Sequence, residues 1–152
     1  MKALTICQPY AHLICLPDDH DRAKRVENRR WPTSYRGPLL IHAGKNRTFL
    51  DLDVTGTRDE GYDIPLADMT FGAIVGIAQL VDCVDLMHPM DRDSAFRRRP
   101  WLIGHEHVEG PYCFVLHECR KFETPIPYKG AQGFFEVPKE IVAEAIESID
   151  GP

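Results

Sequence analysis

Three residues have the types and spacing to do acid–base or anion chemistry together: Lys24, Glu27 and Arg29, in a Lys-x-x-Glu-x-Arg arrangement. A carboxylate among cations stays ionised and orients an Arg or Lys through charge-assisted hydrogen bonds. In a regular strand, residues two apart share a face. That would put Arg25, Glu27 and Arg29 on one side, with Lys24, Val26 and Asn28 on the other. A bend or bulge ahead of the strand would instead let Lys24, Glu27 and Arg29 converge. Both geometries are open at this level.

The surroundings of the triplet are strongly basic. Residues 22–47 hold eight Arg and Lys against one acid, Glu27, a local charge of about +7 in a chain whose net charge is −5. A local field of this kind attracts an anionic partner even when the whole molecule is acidic. Trp31 and Tyr35 stand among the cations, and cations interleaved with ring faces suit a single-stranded nucleic acid. The segment reads either as a solvated, salt-bridged strand or as a polar site for a phosphate, a base or a carbonyl. In the second case Lys24, Arg29, Arg30, Arg36 and Lys45 hold phosphates. Trp31 or Tyr35 stacks a base, and Gln8 or Glu27 reads its edge. Gln8 serves equally as a cap for backbone groups. His42 is either a hydrogen-bonded core residue or a ligand-binding one.

Strands and short helices must position these groups. Residues 3–7 read as a short strand, and Pro9 opens a helix with Tyr10, Leu13 and Ile14 on its apolar face. Residues 39–43 are a nearly continuous apolar run, expected to be a buried strand. Residues 47–64 begin as a helix and become a turn-rich surface excursion. Residues 71–84 give the strongest β signal, long and bent at its glycines. Residues 85–110 read as a long loop carrying Arg97, Arg98 and Arg99, which form either a second phosphate contact or a solvated face. Within that loop, His105 and His107 of His105-Glu106-His107 could share a strand face, but no third or fourth ligand stands at a metal-site spacing. Residues 111–117 and 122–128 read as two strands. Residues 129–133 make a turn into a strand at Phe134. A final helix opens at Pro138, with Ile141, Val142, Ala145, Ile146 and Ile149 facing inward, and Gly151 ends it.

Composition sets the outer bounds. A length of 152 residues and 43% hydrophobic content predict one autonomous domain over residues 1–152. A pI near 5.8 argues against indiscriminate duplex binding. No apolar run approaches the roughly 18 residues of a membrane span, and residues 1–3 lead into a strand without a signal-peptide pattern. Five cysteines, an odd number with no Cys-x-x-Cys, suit buried thiols in a reducing cytoplasm. The expectation is a cytoplasmic protein with no membrane partner, no metal and no cofactor.

Taken in order, the motifs resemble the ASCH domain, a branch of the PUA-like superfamily. The matching pieces are residues 3–6 leading to Gln8-Pro9-Tyr10-Ala11, Lys24-x-x-Glu27-x-Arg29, and Trp31 followed by residues 35–43. Gly72-Ala73-Ile74-Val75-Gly76, residues 80–83, residues 110–116 and residues 129–135 complete the set. The resemblance implies an α+β fold: a small, mostly antiparallel β-barrel with flanking helices and a cleft at the Lys-x-x-Glu-x-Arg signature. It implies an RNA-binding or nucleic-acid-associated module as the first function. It also implies an alternative, since some members act as hydrolases and small relatives resemble amidohydrolases that deacylate modified cytidine. In those, the signature lysine is catalytic, matching Lys24. Glu27 stands where they have a threonine, so that mechanism does not transfer unchanged. Glu106, Glu109 and Asp93 are candidates for a further acid. The expected partner is RNA, another single-stranded nucleic acid or a nucleoside; a protein-interaction module is the third possibility.

Overall fold

The computed structural model describes residues 1–50, 64 and 66–151. The expected excursion over residues 47–64 lies largely outside these. Six strands form one sheet: β1 (Lys2–Ile6), β2 (Val26–Arg29), β3 (Gly37–Ala43), β4 (Ala73–Asp85), β5 (Tyr112–Pro127) and β6 (Phe134–Glu136). Their spatial order is β2-β5-β4-β3-β1-β6, antiparallel except for the parallel β1/β3 pair. The sheet curls back on itself. Phe134 is on an edge strand and Phe114 is one strand in from the opposite edge, yet their rings lie 6.0 Å apart. Trp31 packs edge-on against both, at 5.1 Å from each ring. The result is a mixed α+β half-barrel.

The apolar run at residues 39–43 is buried on both faces of β3. Leu39 and Ile41 join the core inside the curl with Leu4, Ile6, Leu80 and Phe114. Leu40 joins a second core with Ala3, Ile74, Ile77 and Phe122. This second core is covered by α3 (Lys139–Asp150) through Val142, Ala145, Ile146 and Ile149. Ile141 departs from the expected inward set and is 41% exposed.

β4 is long and irregular, with register shifts against both neighbours, and such bulges bend a strand. At Gly76 a Cβ would lie 2.6 Å from the Arg120 carbonyl oxygen and 2.8 Å from the Cys15 sulfur, so only glycine permits this approach.

Two expectations are corrected. Residues 85–110 are not a continuous loop, because α2 (Pro89–Arg98) runs through them. Only Ala95 of α2 is buried, so no apolar periodicity announced it; Pro89 opens it and the His88 ring accepts from the Asp91 N–H at its start. The two strands expected at 111–117 and 122–128 are one strand, β5, which carries the chain past its prolines without a break. Among the described residues, no helix is long and apolar enough to cross a membrane.

Candidate functional site

The signature adopts the convergent geometry. β2 starts only at Val26, so Lys24 precedes the strand and is free of its alternation. Lys24 Nζ donates to the Val26 carbonyl at 2.6 Å and to Glu27 Oε1 at 3.0 Å. The Asn28 N–H reaches the same Oε1 at 3.1 Å. Arg29 approaches Glu27 Oε2 at 3.4 Å and donates to the Thr5 carbonyl at 2.8 Å. Lys24 and Glu27 are 5% and 8% exposed. Arg25 leaves in another direction, its guanidinium 4.2 Å from the centre of the Trp101 ring.

This cluster lines a cleft of about 700 Å³. The other lining groups come from β1 and its sequel (Thr5, Ile6, Cys7), from Tyr10 at the start of α1 (Tyr10–Ile14), from Phe49, and from the Glu106–Glu109 segment. Tyr10 and Phe49 stand edge to face at 5.2 Å, and Lys24 Nζ lies 5.6 Å from the centre of the Tyr10 ring. Asn28 fixes the far wall. Its amide donates to the His107 carbonyl at 2.7 Å, while its oxygen accepts from the N–H groups of Glu109 and Gly110 and from the Cys113 thiol.

Two cleft residues titrate abnormally. Burial, followed by the charges of Lys24 and His105, pushes His107 down to about 4, with Glu27 opposing. Its imidazole is therefore neutral at pH 7. Burial and then the Glu27 carboxylate push the Cys7 thiol up, against Arg29, so Cys7 is no thiolate nucleophile. Among the described residues, no group of three His, Cys, Asp or Glu is placed to hold a metal ion.

The structure brings Lys24, Glu27 and Arg29 together in this cleft. Gln8 is 1% exposed, its amide held by the Thr70 carbonyl and the His12 N–H, the capping arrangement. Trp31 closes the curl of the sheet. Tyr35 donates to the Pro38 carbonyl, and its ring meets Phe134. Arg30 is exposed, and Arg36 reaches the Thr33 and Tyr35 carbonyls and Asp82. Arg98 and Arg99 also pair with Asp82, each at 2.9 Å. Of the candidate further acids, Glu106 and Glu109 line the cleft, whereas Asp93 pairs with Arg92 on α2. His42 and Lys45 lie in a second cavity, a groove of about 850 Å³. Sequence reasoning missed Cys7, Tyr10 and Phe49 as cleft residues; their only signal was proximity to the matched motifs.

The family model for the ASCH domain matches residues 4–147. The chain belongs to the ASCH domain family. Among solved structures, ASCH from Zymomonas mobilis is similar over 95% of this chain and 92% of that one, with a TM-score of 0.52 and 16% identity. A tyrosine-to-phenylalanine variant of that protein gives a TM-score of 0.50 at 15% identity, covering 95% of both chains. No curated protein matches the chain. These likenesses establish the ASCH, PUA-like fold; the signature cleft described above is this chain's own geometry on it.

Proposed function

We propose that this ASCH domain binds single-stranded RNA, with one base entering the Lys24–Glu27–Arg29 cleft. The observation that carries the reading is a nearly buried ionic cluster beside two aromatic side chains, Tyr10 and the 41%-exposed Phe49. Ring faces stack bases without regard to sequence, and polar groups on the cleft wall read the Watson–Crick edge. Arg29 and Lys24 supply donors for a base carbonyl. Glu27 accepts from an exocyclic amine, as carboxylates do in base recognition. Arg29 is held toward the cleft by the Thr5 carbonyl at 2.8 Å and Glu27 Oε2 at 3.4 Å. The PUA-like family's frequent link to RNA binding supports the same reading.

Fluorescence anisotropy with short single-stranded RNAs at low salt tests it. Binding is expected to weaken linearly in log–log form with salt. Arg29→Ala is expected to weaken it about tenfold, with a melting curve as the check on folding. Absence of binding at low salt, or indifference to Arg29→Ala, overturns the reading.

The 3.0 Å contact between Lys24 Nζ and Glu27 Oε1 also supports a second reading, a hydrolase of modified nucleosides or RNA. Lys24 would then act as general base or charge stabiliser, and Glu27 would activate water or hold the substrate. A mass change in a pool of acylated nucleosides and short RNAs, made by the native protein and lost in Lys24→Ala, would establish it; an unchanged pool would sink it.

A further inference from the structure

The cleft and the groove meet at one residue, Thr5, which lines both. Its carbonyl accepts from Arg29 on the cleft side at 2.8 Å. Its hydroxyl lies 3.1 Å from His42 Nδ1, in the groove. His42 Nε2 must carry the proton, because its partner at 2.6 Å is the Tyr128 carbonyl, which can only accept.

The two cavities carry opposite charge. The cleft sets Lys24 and Arg29 against three carboxylates, Glu27, Glu106 and Glu109. It suits a neutral base better than a phosphate, which those carboxylates would repel. The groove has no carboxylate in its lining and two exposed lysines, Lys45 and Lys129, neither in an ion pair among the described residues. Three glycines, Gly44, Gly72 and Gly130, stand in its lining beside the Thr5 and His42 side chains. A Cβ on Gly130 would lie 2.6 Å from Thr5 Oγ1 and 2.7 Å from His42 Cε1, and one on Gly72 (φ +67°) would lie 2.7 Å from Lys45 Cε. The N–H groups of residues 129–132 donate to no backbone acceptor among the described residues.

We propose that the groove holds the phosphodiester backbone of the same strand whose base enters the cleft, so the ligand is an oligonucleotide rather than a free nucleoside. This rests on the cleft reading above and extends it from one nucleotide to several. The strand passes over Thr5: its base sits among the mutually paired charges, and its flanking phosphates sit against Lys45 and Lys129. Each phosphate met by a lysine displaces condensed counterion, so the groove also sets much of the salt dependence.

The test measures affinity for oligoribonucleotides of one, two, four and eight residues, with the native protein, Arg29→Ala, and the Lys45→Ala/Lys129→Ala double variant. Native affinity is expected to climb with length. In the double variant the gain from mononucleotide to octanucleotide shrinks about tenfold. Its salt slope becomes shallower by about 1.4, at about 0.7 per lost contact in a single strand. Two outcomes overturn the proposal while leaving the cleft reading standing. One is affinity that ignores length while mononucleotide binding still responds to Arg29→Ala. The other is a length gain that survives in the double variant. Binding at no length overturns both.

Discussion

The cleft and the groove share Thr5 but are built in contrasting ways. In the cleft, Lys24, Glu27 and Arg29 are largely withdrawn from water and neutralise one another. Such an arrangement holds each group in a set direction, and losing any one leaves the others uncompensated. In the groove, Lys45 and Lys129 stand exposed in a lining without carboxylates. Neither is in an ion pair among the described residues. Buried charge gives direction; exposed charge gives attraction. The contrast teaches that formal charge along the sequence is a poor guide to where an anion settles. The most basic segment of this chain gives two cations to a cavity where Glu27, Glu106 and Glu109 outnumber them, and only Lys45 to the groove.

The largest expected effect breaks the contrast at Glu27. Glu27→Ala removes the counterion of two largely buried cations and is expected to cost about 3 kcal/mol or more in urea unfolding. Lys45→Ala, an exposed side chain, is expected to change stability by less than about 0.5 kcal/mol. If both variants lose the same amount, the cleft is as wet as the groove and the distinction fails.

Next comes Gly130. An added methyl meets Thr5 and His42 well inside contact distance, and Gly130→Ala is expected to destabilise by about 1–3 kcal/mol. Full stability in the same unfolding experiment would mean that the loop lifts away and the groove has no fixed floor.

A third test sharpens the contrast through pH. In the unfolded chain a histidine takes up its proton near 6.5, whereas folded His107 refuses it until about 4. Between those values the unfolded state binds more protons, so stability falls as pH drops through that window. His107→Gln is expected to flatten that part of the profile, read as the urea midpoint from pH 7 to 4. An identical slope in both proteins would show that the cleft wall around His107 is hydrated.

Much of this architecture was legible in the residues. β3 announced itself because both its faces are buried, so Leu39, Leu40 and Ile41 form an unbroken apolar run. Gly76 marked the bend of β4, since a close approach leaves room for no side chain. The convergence of Lys24, Glu27 and Arg29 was foreseen as one of two geometries. What decided between them was the point at which β2 begins pairing with β5, a tertiary fact absent from local spacing. Helix α2 escaped notice because it buries one alanine and leaves no periodic trace. Trp31 was nominated for its company among cations. Its environment is instead set by Phe114 and Phe134, far along the chain and brought near only by the curl of the sheet. For the same reason Phe49 and His107 could not be assigned to one cleft in advance.

Asn28 sits between the two charged residues of the strand and turns its amide to the segment facing them. Four hydrogen bonds from one side chain tie residues 107–113 to β2. The span between the walls of the cleft is thus set like a locked caliper. The entropy of bringing those walls to their separation is lost once, when the chain folds, and does not return as a cost when a guest arrives.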